Sequence, residues 1–222
     1  MGRPREHTET TRAHLMRAAR RLLAEQGPAG LELRGLAAHV DTTTRAIYSL
    51  FGSKENLARA LYVDGFAELV DRLRAIQRSA DPRADLLAAC SAYREQARGQ
   101  PVLYRLMCEQ LVPEFTPTCD DRTHALAALH LLADVLADCR DAGIVSLPHT
   151  PDPAVPAVAR RRRMPPLEVD SEVDLLARQW WAMLHGLAAL EIRGFLGTPQ
   201  DADRIWDAGL HALLTAPARA SS

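Results

Sequence analysis

The sequence of 222 residues predicts an all-α protein. Three observations favour this class: Ala, Leu, Arg and Glu recur at helical spacing, alternating β-branched and aromatic residues are nearly absent, and helix caps and stops separate the apolar runs. A content of 47% hydrophobic and 25% charged residues is typical of a globular protein rather than a disordered or fibrous one. The length allows one large domain or two small ones, each with its own core.

The first four predicted helices occupy the amino-terminal part of the chain. Thr8 is expected to cap the first of them and Gly27 to end it. Ser53 is expected to cap the fourth, which is long. These helices are predicted over residues 8–26, 33–40, 44–50 and 54–79.

Five further helices are predicted after residue 80. Asp81-Pro82 and Thr198-Pro199 each place a capping residue before a proline at the first helical position. Gly143 is a typical carboxy-terminal stop, and Ser171-x-x-Asp174 resembles a capping box. These helices are predicted over residues 82–98, 101–111, 120–142, 172–195 and 199–215.

The segment 144–170 differs in composition from the rest of the chain. It contains six prolines and the run Arg160–Arg163. Such a segment is expected to be a long loop or a partly disordered insertion. The arginine run is interpreted either as a solvated loop or as a contact for phosphate or an acidic partner.

Charge is unevenly distributed along the chain. The net charge of -1 combines ten basic and six acidic residues in 1–60, a balance of +4, with a balance of -5 in 61–222. Lys54 is the only lysine, and it lies in the basic part. A basic domain can neutralise phosphates while an acidic body stays clear of them, so the chain is predicted to divide at about residue 60.

Helices 33–40 and 44–50, with the helix before them, predict a three-helix helix-turn-helix domain. Asp41 suits the left-handed backbone of the turn, and Thr43 can cap the second short helix. This helix is expected to bury Ala46, Ile47, Leu50 and Phe51 and to expose Thr44, Arg45, Tyr48 and Ser49. Hydroxyl and guanidinium groups exposed in this way can reach base edges and phosphates of DNA.

Two runs carry a resemblance to a known family. They are Leu31-Glu32-Leu33-Arg34-Gly35-Leu36-Ala37 after Gly27, and Ile47-Tyr48-x-x-Phe51-x-Ser53-Lys54-x-x-Leu57. Over about residues 8–60 the chain resembles the TetR family of transcriptional regulators. The resemblance implies phosphate contacts for three side chains, base contacts for Thr44 and Arg45, and a backbone contact for Arg34. The three phosphate-binding side chains are Thr43, Tyr48 and Lys54; Ser49 and the helix start at Ser53 complete the predicted DNA-binding set.

Three features depart from the family pattern. The usual turn Ala-Gly-Val is replaced by Val40-Asp41-Thr42, a common Thr by Glu32, and a common His by Leu50. Glu32 and Asp41 add negative charge near DNA, which predicts either a weakened affinity or an unusual operator.

The penultimate helix is apolar on several faces, so it is expected to be buried on several faces. Two such helices from each of two copies would form a four-helix bundle between subunits; alternatively, they complete the core of one chain. Trp181-x-x-x-His185-Gly186 resembles the signature of one TetR carboxy-terminal class, the WHG domain, which implies a larger helical ligand-binding and dimerisation domain over 61–222. The residues predicted at the dimer interface are Trp181, Ala188, Ile192, Phe195, Trp206, Leu210 and Leu213.

The same resemblance implies a pocket for a small molecule among the middle helices. Apolar walls with a few polar groups are typical of such sites, and equally of a plain core. His185 is interpreted as a structural histidine or as a hydrogen-bonding group of the pocket. The candidate lining residues are Tyr93, Leu103, Tyr104, Met107, Leu111, Phe115, Trp180, Met183 and His185.

Together with these patterns, the resemblance to the TetR family implies a ligand-responsive repressor that binds a palindromic operator as a homodimer and is released by a small apolar molecule. The sequence lacks a glycine-rich phosphate loop, metal-ligand spacing and a nucleophile elbow, so we expect no catalytic residue, metal or cofactor. No stretch is long and apolar enough to cross a bilayer, and the amino terminus does not resemble a secretion signal, so a cytoplasmic location is expected. Two alternatives remain open: a thiol-based redox sensor using Cys108 or Cys119, and a helical interaction protein without DNA binding.

Overall fold

The computed structural model describes residues 3–146 and 171–215, with side chains from residue 9 onward. Within these ranges every regular element is helical, which confirms the all-α class. A 3-10 turn over Gly27–Leu31 separates the first two helices. The α-helices are α1 (Arg3–Gln26), α2 (Leu33–His39), α3 (Thr44–Phe51), α4 (Lys54–Arg74), α5 (Pro82–Gly99), α6 (Pro101–Cys108), α7 (Cys119–Asp141), α8 (Glu172–Ile192) and α9 (Pro199–Leu214).

The chain forms two compact units. The first comprises Met1–Ala75 with Ala92–Ala128, and the second comprises Ile76–Ser91 with Leu129–Ser222. Helices α5 and α7 are divided between the two units. The functional boundary predicted at residue 60 falls inside the first unit and stays a prediction. Most of the predicted insertion, including Arg160–Arg163, lies outside the described residues.

The core of the first unit begins with α1, α2 and α3. Its interior includes Leu15 and Leu23 of α1, Leu36 of α2 and Ile47 of α3, each at most 1% exposed. Helix α1 begins at Arg3 rather than at the predicted Thr8. Pro4 permits this earlier start, because the N–H that a proline lacks has no partner within the first turn of a helix.

The turn between α1 and α2 passes very close to α1. Gly27 has φ of 64°, the left-handed conformation that favours glycine. Gly30 approaches α1 so closely that a Cβ atom there would lie 2.2 Å from the carbonyl oxygen of Leu22. This contact fixes where the helix-turn-helix begins.

Helices α4 and α6 also pack closely within the first unit. A Cβ atom at Gly65 would lie 2.6 Å from the sulfur of Met107, so the small residue admits the methionine. Tyr62 of α4 makes edge-to-face ring contacts with Phe66 and with Phe115, at centroid distances of 4.9 and 5.5 Å. This packing places the segment after α6 beside α4.

The second unit has a core centred on α8. Trp180, Leu184 and Leu136 are at most 1% exposed. The indole N–H of Trp206 on α9 donates to Glu191 on α8 over 2.6 Å. Helix α9 begins with the predicted cap at Thr198, which forms a full capping box with Asp201.

Three helices end three or more residues earlier than predicted. Helix α4 ends at Arg74, and the N–H and hydroxyl of Ser79 bond instead to Asp85 at the start of α5. Helix α6 ends at Cys108, and Glu109 after it adopts an extended backbone with φ of -125° and ψ of 160°. Helix α8 ends at Ile192, and Gly194 follows with φ of 75°.

Candidate functional site

The predicted helix-turn-helix is present between α2 and α3. Asp41 adopts φ of 52°, as its place in the turn predicts. Among the residues that the structure describes, it is the one non-glycine residue with positive φ. The N–H of Thr42 donates to the carbonyl of Ala37 over 2.9 Å and closes the turn. Thr43 caps α3 by accepting the N–H of Ala46 at 3.2 Å.

Helix α3 has one buried face and one exposed face. Ile47 and Phe51 are buried, while Arg45 and Ser49 are exposed and the Tyr48 side chain is 55% exposed. The ring of Phe51 also lies under the guanidinium of Arg12 from α1, which holds α3 against the first helix. The exposed face therefore offers hydroxyl, phenol and guanidinium groups, as predicted. Ala46 and Leu50, which were predicted to be buried, are half-buried.

The start of α4 completes this surface. The hydroxyl of Ser53 caps the helix by accepting the N–H of Asn56 at 3.1 Å. Lys54 follows at the first helical position, with a side chain that is 22% exposed. Its ammonium donates to Glu32 over 2.6 Å, and a carboxylate oxygen of Glu114 lies 4.0 Å away. Sequence reasoning placed Lys54 correctly but did not anticipate these two carboxylates.

Arg34 is exposed on α2, and Thr44 is half-buried at the first position of α3. All eight side chains predicted for DNA binding therefore lie on α2, the turn, α3 and the start of α4. This is the arrangement of a helix-turn-helix with a second helix available to a groove.

Comparison with known proteins decides the family. A profile described as "Bacterial regulatory proteins, tetR family" matches residues 15–61. A second profile, "Tetracyclin repressor-like, C-terminal domain", matches residues 86–213, more than half of the chain. The chain belongs to the TetR family. It is accordingly a DNA-binding transcriptional regulator and not an enzyme.

Individual relatives of this TetR-family regulator agree. The HTH-type transcriptional regulator Rv1816 of Mycobacterium tuberculosis is 28% identical over 217 residues, which cover 95% of this chain and 91% of the relative. The crystal structure of the regulatory protein SCO4313 aligns with a TM-score of 0.71 and 25% identity over 96% of this chain and 98% of that one. FadR of Bacillus subtilis, solved in complex with stearoyl-CoA, aligns with a TM-score of 0.64 and 14% identity over 90% and 96% of the two chains. That last likeness extends to the fold alone.

The residues predicted to line a ligand pocket are divided between the units. Tyr93 and Tyr104 of the first unit share a hydrogen bond of 2.8 Å between their hydroxyls, and their rings meet at right angles. Burial raises the pKa of Tyr104, so its hydroxyl stays protonated. Leu103, Met107, Leu111 and Phe115 also belong to the first unit, whereas Trp180, Met183 and His185 belong to the second.

Gln96 is a candidate residue that sequence reasoning missed. It lies on α5 one turn after Tyr93, its side chain is 2% exposed, and both polar atoms of its amide lack a hydrogen-bond partner among the described residues. A buried unpaired amide costs free energy, so its presence calls for an explanation. A glutamine in the apolar stripe of α5, next to Tyr93 and Ala97, was the signal in the sequence.

The first unit also contains a groove of about 1210 Å³ between α1 and α4, with none of the predicted pocket residues in its lining. Arg20 bridges helices at its wall by bonding to Asp64, Glu68 and Gln100. Hydrogen bonds from Arg20 and its neighbours outweigh the effect of burial and lower the pKa of Glu68. The groove therefore combines paired charges with apolar residues such as Met16, Phe51 and Val63 in its walls.

The cysteines bear on the redox alternative. Burial raises the pKa of Cys108 to about 12, and that of Cys90 to about 12 as well. Their thiols stay protonated at neutral pH, and a protonated thiol is a poor nucleophile. Cys119 is exposed, at the start of α7. The raised pKa of Cys108 weighs against the sensor role considered for it, and the exposed Cys119 stays a candidate.

The residues predicted at a dimer interface differ in exposure. Ala188 and Trp206 are buried within the chain itself, at 1% and 3% exposure, so they have little surface to offer a partner. Phe195 is 74% exposed. Trp181, Ile192, Leu210 and Leu213 are half-buried.

The described residues hold neither a metal-binding cluster nor a membrane-spanning helix. No group of three or more His, Cys, Asp or Glu side chains is arranged to hold a metal ion there. Nor does any helix in that part of the chain have the length and apolar character needed to span a membrane.

Proposed function

We propose that this TetR-family regulator is a homodimeric repressor that reads a palindromic operator through α3 and is released by a small, largely apolar effector. The observation that carries the proposal is the polar, exposed face of α3, capped by Thr43 and followed at once by Ser53 and Lys54 at the start of α4. A two-fold dimer presents two such faces to two half-sites.

In the proposed complex, α3 lies in the major groove. Thr44 and Arg45 stand at the amino-terminal end of that helix, from which recognition helices contact base edges. Thr43, Tyr48 and Lys54 contact phosphates, Arg34 reaches the backbone from α2, and Ser49 lies on the same exposed face. The free N–H groups at the start of α4 add to the attraction for phosphate.

The effector is proposed to bind in the first unit among Leu103, Tyr104, Met107 and their neighbours, with the Tyr93–Tyr104 hydroxyl pair at a polar end. An effector with one polar group could also bond to the Gln96 amide and remove the cost of its burial. Because α6 packs on α4 at Gly65, insertion of the effector would shift α4 and change the separation of the two DNA-reading helices. Trp180, Met183 and His185 belong to the second unit and stay predictions from the sequence alone.

Selection of DNA from a random pool tests the reader and the dimer together. We expect a palindromic consensus with half-sites about one helical turn apart. A single, non-repeated half-site would contradict the dimer, and an absence of enrichment would contradict sequence-specific reading. Release of the selected DNA is then screened with apolar small molecules. Acyl-CoA thioesters, which join an apolar acyl chain to an anionic CoA group, are screened separately, since FadR was solved with one of these.

Two substitutions separate base reading from phosphate binding. Arg45→Ala should weaken binding to the selected operator by about 10- to 100-fold and leave binding to random DNA nearly unchanged, because a bidentate base contact discriminates by about 1–3 kcal/mol. Lys54→Ala should weaken binding to both DNAs by the same factor. The measurement is a titration of both DNAs at one fixed salt concentration. Equal losses on the two DNAs for Arg45→Ala would remove its base-reading role.

A further inference from the structure

We propose that Glu32 and Glu114 compete with DNA phosphate for the Lys54 ammonium. This competition makes the DNA affinity of the regulator lower than it would be if Lys54 were free to pair with phosphate. The inference rests on the proposed phosphate-binding role of Lys54. It adds that this role is opposed from within the chain, by two carboxylates that arrive from different segments.

The geometry of Lys54 carries this inference. Its ammonium lies 2.6 Å from a carboxylate oxygen of Glu32 and 4.0 Å from one of Glu114. Lys54 itself is largely covered, with 22% of its side chain exposed, whereas Glu32 is 66% and Glu114 58% exposed. The positive charge thus faces two accessible negative ones. Glu32 bonds to it as a phosphate oxygen would, whereas Glu114 attracts it from beyond hydrogen-bond distance.

The Glu32 side chain does not cap α2, the helix that it precedes. It occupies the cap position of α2, where Ser, Thr, Asp or Asn usually accepts a backbone N–H, but its side chain makes no capping hydrogen bond. The carboxylate bonds to Lys54 instead. Neutralising Glu32 should therefore leave the fold intact, and a threonine there could cap α2 as well.

Glu114 is held in place by its neighbours. Val112 and Phe115 on either side of it are at most 3% exposed, and the Phe115 ring contacts Tyr62 of α4. The guanidinium of Arg59, also on α4, lies over the same ring. The segment between α6 and α7 is thus anchored on α4 and holds Glu114 next to the start of that helix.

Two effects follow when DNA approaches. Lys54 must leave the carboxylates before it can pair fully with a phosphate, and the released carboxylates then stand close to the phosphates and repel them. The first effect requires Lys54, whereas the second does not. The two can therefore be separated by measuring the same charge neutralisation with and without the lysine.

The experiment measures binding of the full chain to a random-sequence duplex at fixed salt. Glu32→Gln and Glu32→Thr should each raise the DNA affinity by about two- to fivefold per bound DNA-binding domain. This is the change in affinity that corresponds to the free energy of one exposed ion pair. Glu114→Gln should give a smaller gain because its oxygen is farther from the ammonium. Glu55→Gln is the matched control: it removes the same charge next to Lys54, but the Glu55 carboxylate bonds to Arg59.

The decisive comparison uses Lys54→Ala as the background. If the carboxylates compete for Lys54, the gain from Glu32→Gln should shrink to that of Glu55→Gln once Lys54 is absent. An equal gain from Glu32→Gln with and without Lys54 would show mere charge repulsion and overturn the proposal, as would the absence of any gain. A Lys54→Ala chain that binds as tightly as the unaltered one would instead refute the phosphate-binding role itself. Far-ultraviolet circular dichroism of each variant verifies that the helices are retained.

Discussion

At the scale of single residues, two glycines near α2 differ in the space that a side chain would find. A methyl group at Gly30 would collide with the backbone of Leu22, whereas one at Gly35 would meet no atom within 4 Å. We expect Gly30→Ala to lower the free energy of unfolding by about 1–3 kcal/mol, since a backbone atom cannot move aside cheaply. Gly35→Ala should raise it by about 0.5–1 kcal/mol, because Gly35 lies inside α2.

Urea unfolding followed by circular dichroism measures both changes, and each glycine serves as the control for the other. Equal effects of the two substitutions would contradict the close approach of the turn to α1. The comparison also tests the local structure that sets the position of the helix-turn-helix.

The residue scale also shows what sequence patterns can and cannot reveal about the site. The left-handed turn at Asp41 and the cap at Thr43 follow from local chemistry, so the sequence predicted both. The pairing of Lys54 with Glu32 joins residues 22 positions apart, and no local pattern indicates it. Whether the Gln96 amide finds a hydrogen-bond partner depends likewise on what surrounds α5 in three dimensions, and among the described residues it has none.

At the scale of helices, α7 is tied to α4 by an ion pair that depends on pH. Asp121 at the start of α7 accepts hydrogen bonds from Arg59 and from the N–H and hydroxyl of Thr118. Burial alone would raise the pKa of Asp121, but these bonds outweigh it and hold the pKa below its usual value. The same pair raises the pKa of Arg59.

A carboxyl whose pKa is lowered by folding stabilises the folded state above its unfolded pKa, near 3.9, and this stabilisation is lost as pH falls through the folded pKa. Asp121→Asn should therefore lower the free energy of unfolding at pH 6 by about 1–2 kcal/mol and make its decline below pH 4 shallower. The measurement is a series of urea titrations from pH 6 to pH 3. Asp120→Asn removes the neighbouring exposed carboxylate and should leave the slope unchanged; a steep slope retained in Asp121→Asn would contradict the assignment.

Helix starts were more predictable than helix ends. The caps at Ser53, Ser171 and Thr198 lie within three residues of the N–H groups they accept, so the sequence alone located them. The end of α4 was predicted five residues late, because the capture of Ser79 by Asp85 depends on where the next helix begins. Competition between neighbouring elements, rather than propensity within one, decided that boundary.

At the scale of the whole molecule, the proposed dimer requires a surface that one chain leaves apolar and exposed. Phe195, in the turn after α8, is 74% exposed, and Leu190 on α8 is 43% exposed. Phe195→Asp should weaken dimerisation by at least about tenfold, because a change at a central interface residue costs about 1 kcal/mol or more and occurs twice in a two-fold dimer.

Sedimentation over a range of concentrations measures this dissociation. Leu87 on α5 is exposed to 36%, lies outside α8 and α9, and provides the control variant Leu87→Asp, which should dimerise as the unaltered chain does. A dimer unaffected by Phe195→Asp and Leu190→Asp would place the interface elsewhere. Since Ala188 and Trp206 are buried within the chain, this outcome would favour the alternative in which α8 and α9 complete one chain's core.

The single lysine has a consequence for chemical labelling. Apart from the terminal α-amino group, an acylating reagent selective for primary amines would find one target in all 222 residues. That target is the ammonium which Glu32 now holds at the start of α4. One added mass on one peptide would then report whether Lys54 is accessible, covered by its own carboxylate neighbours or shielded by a bound duplex.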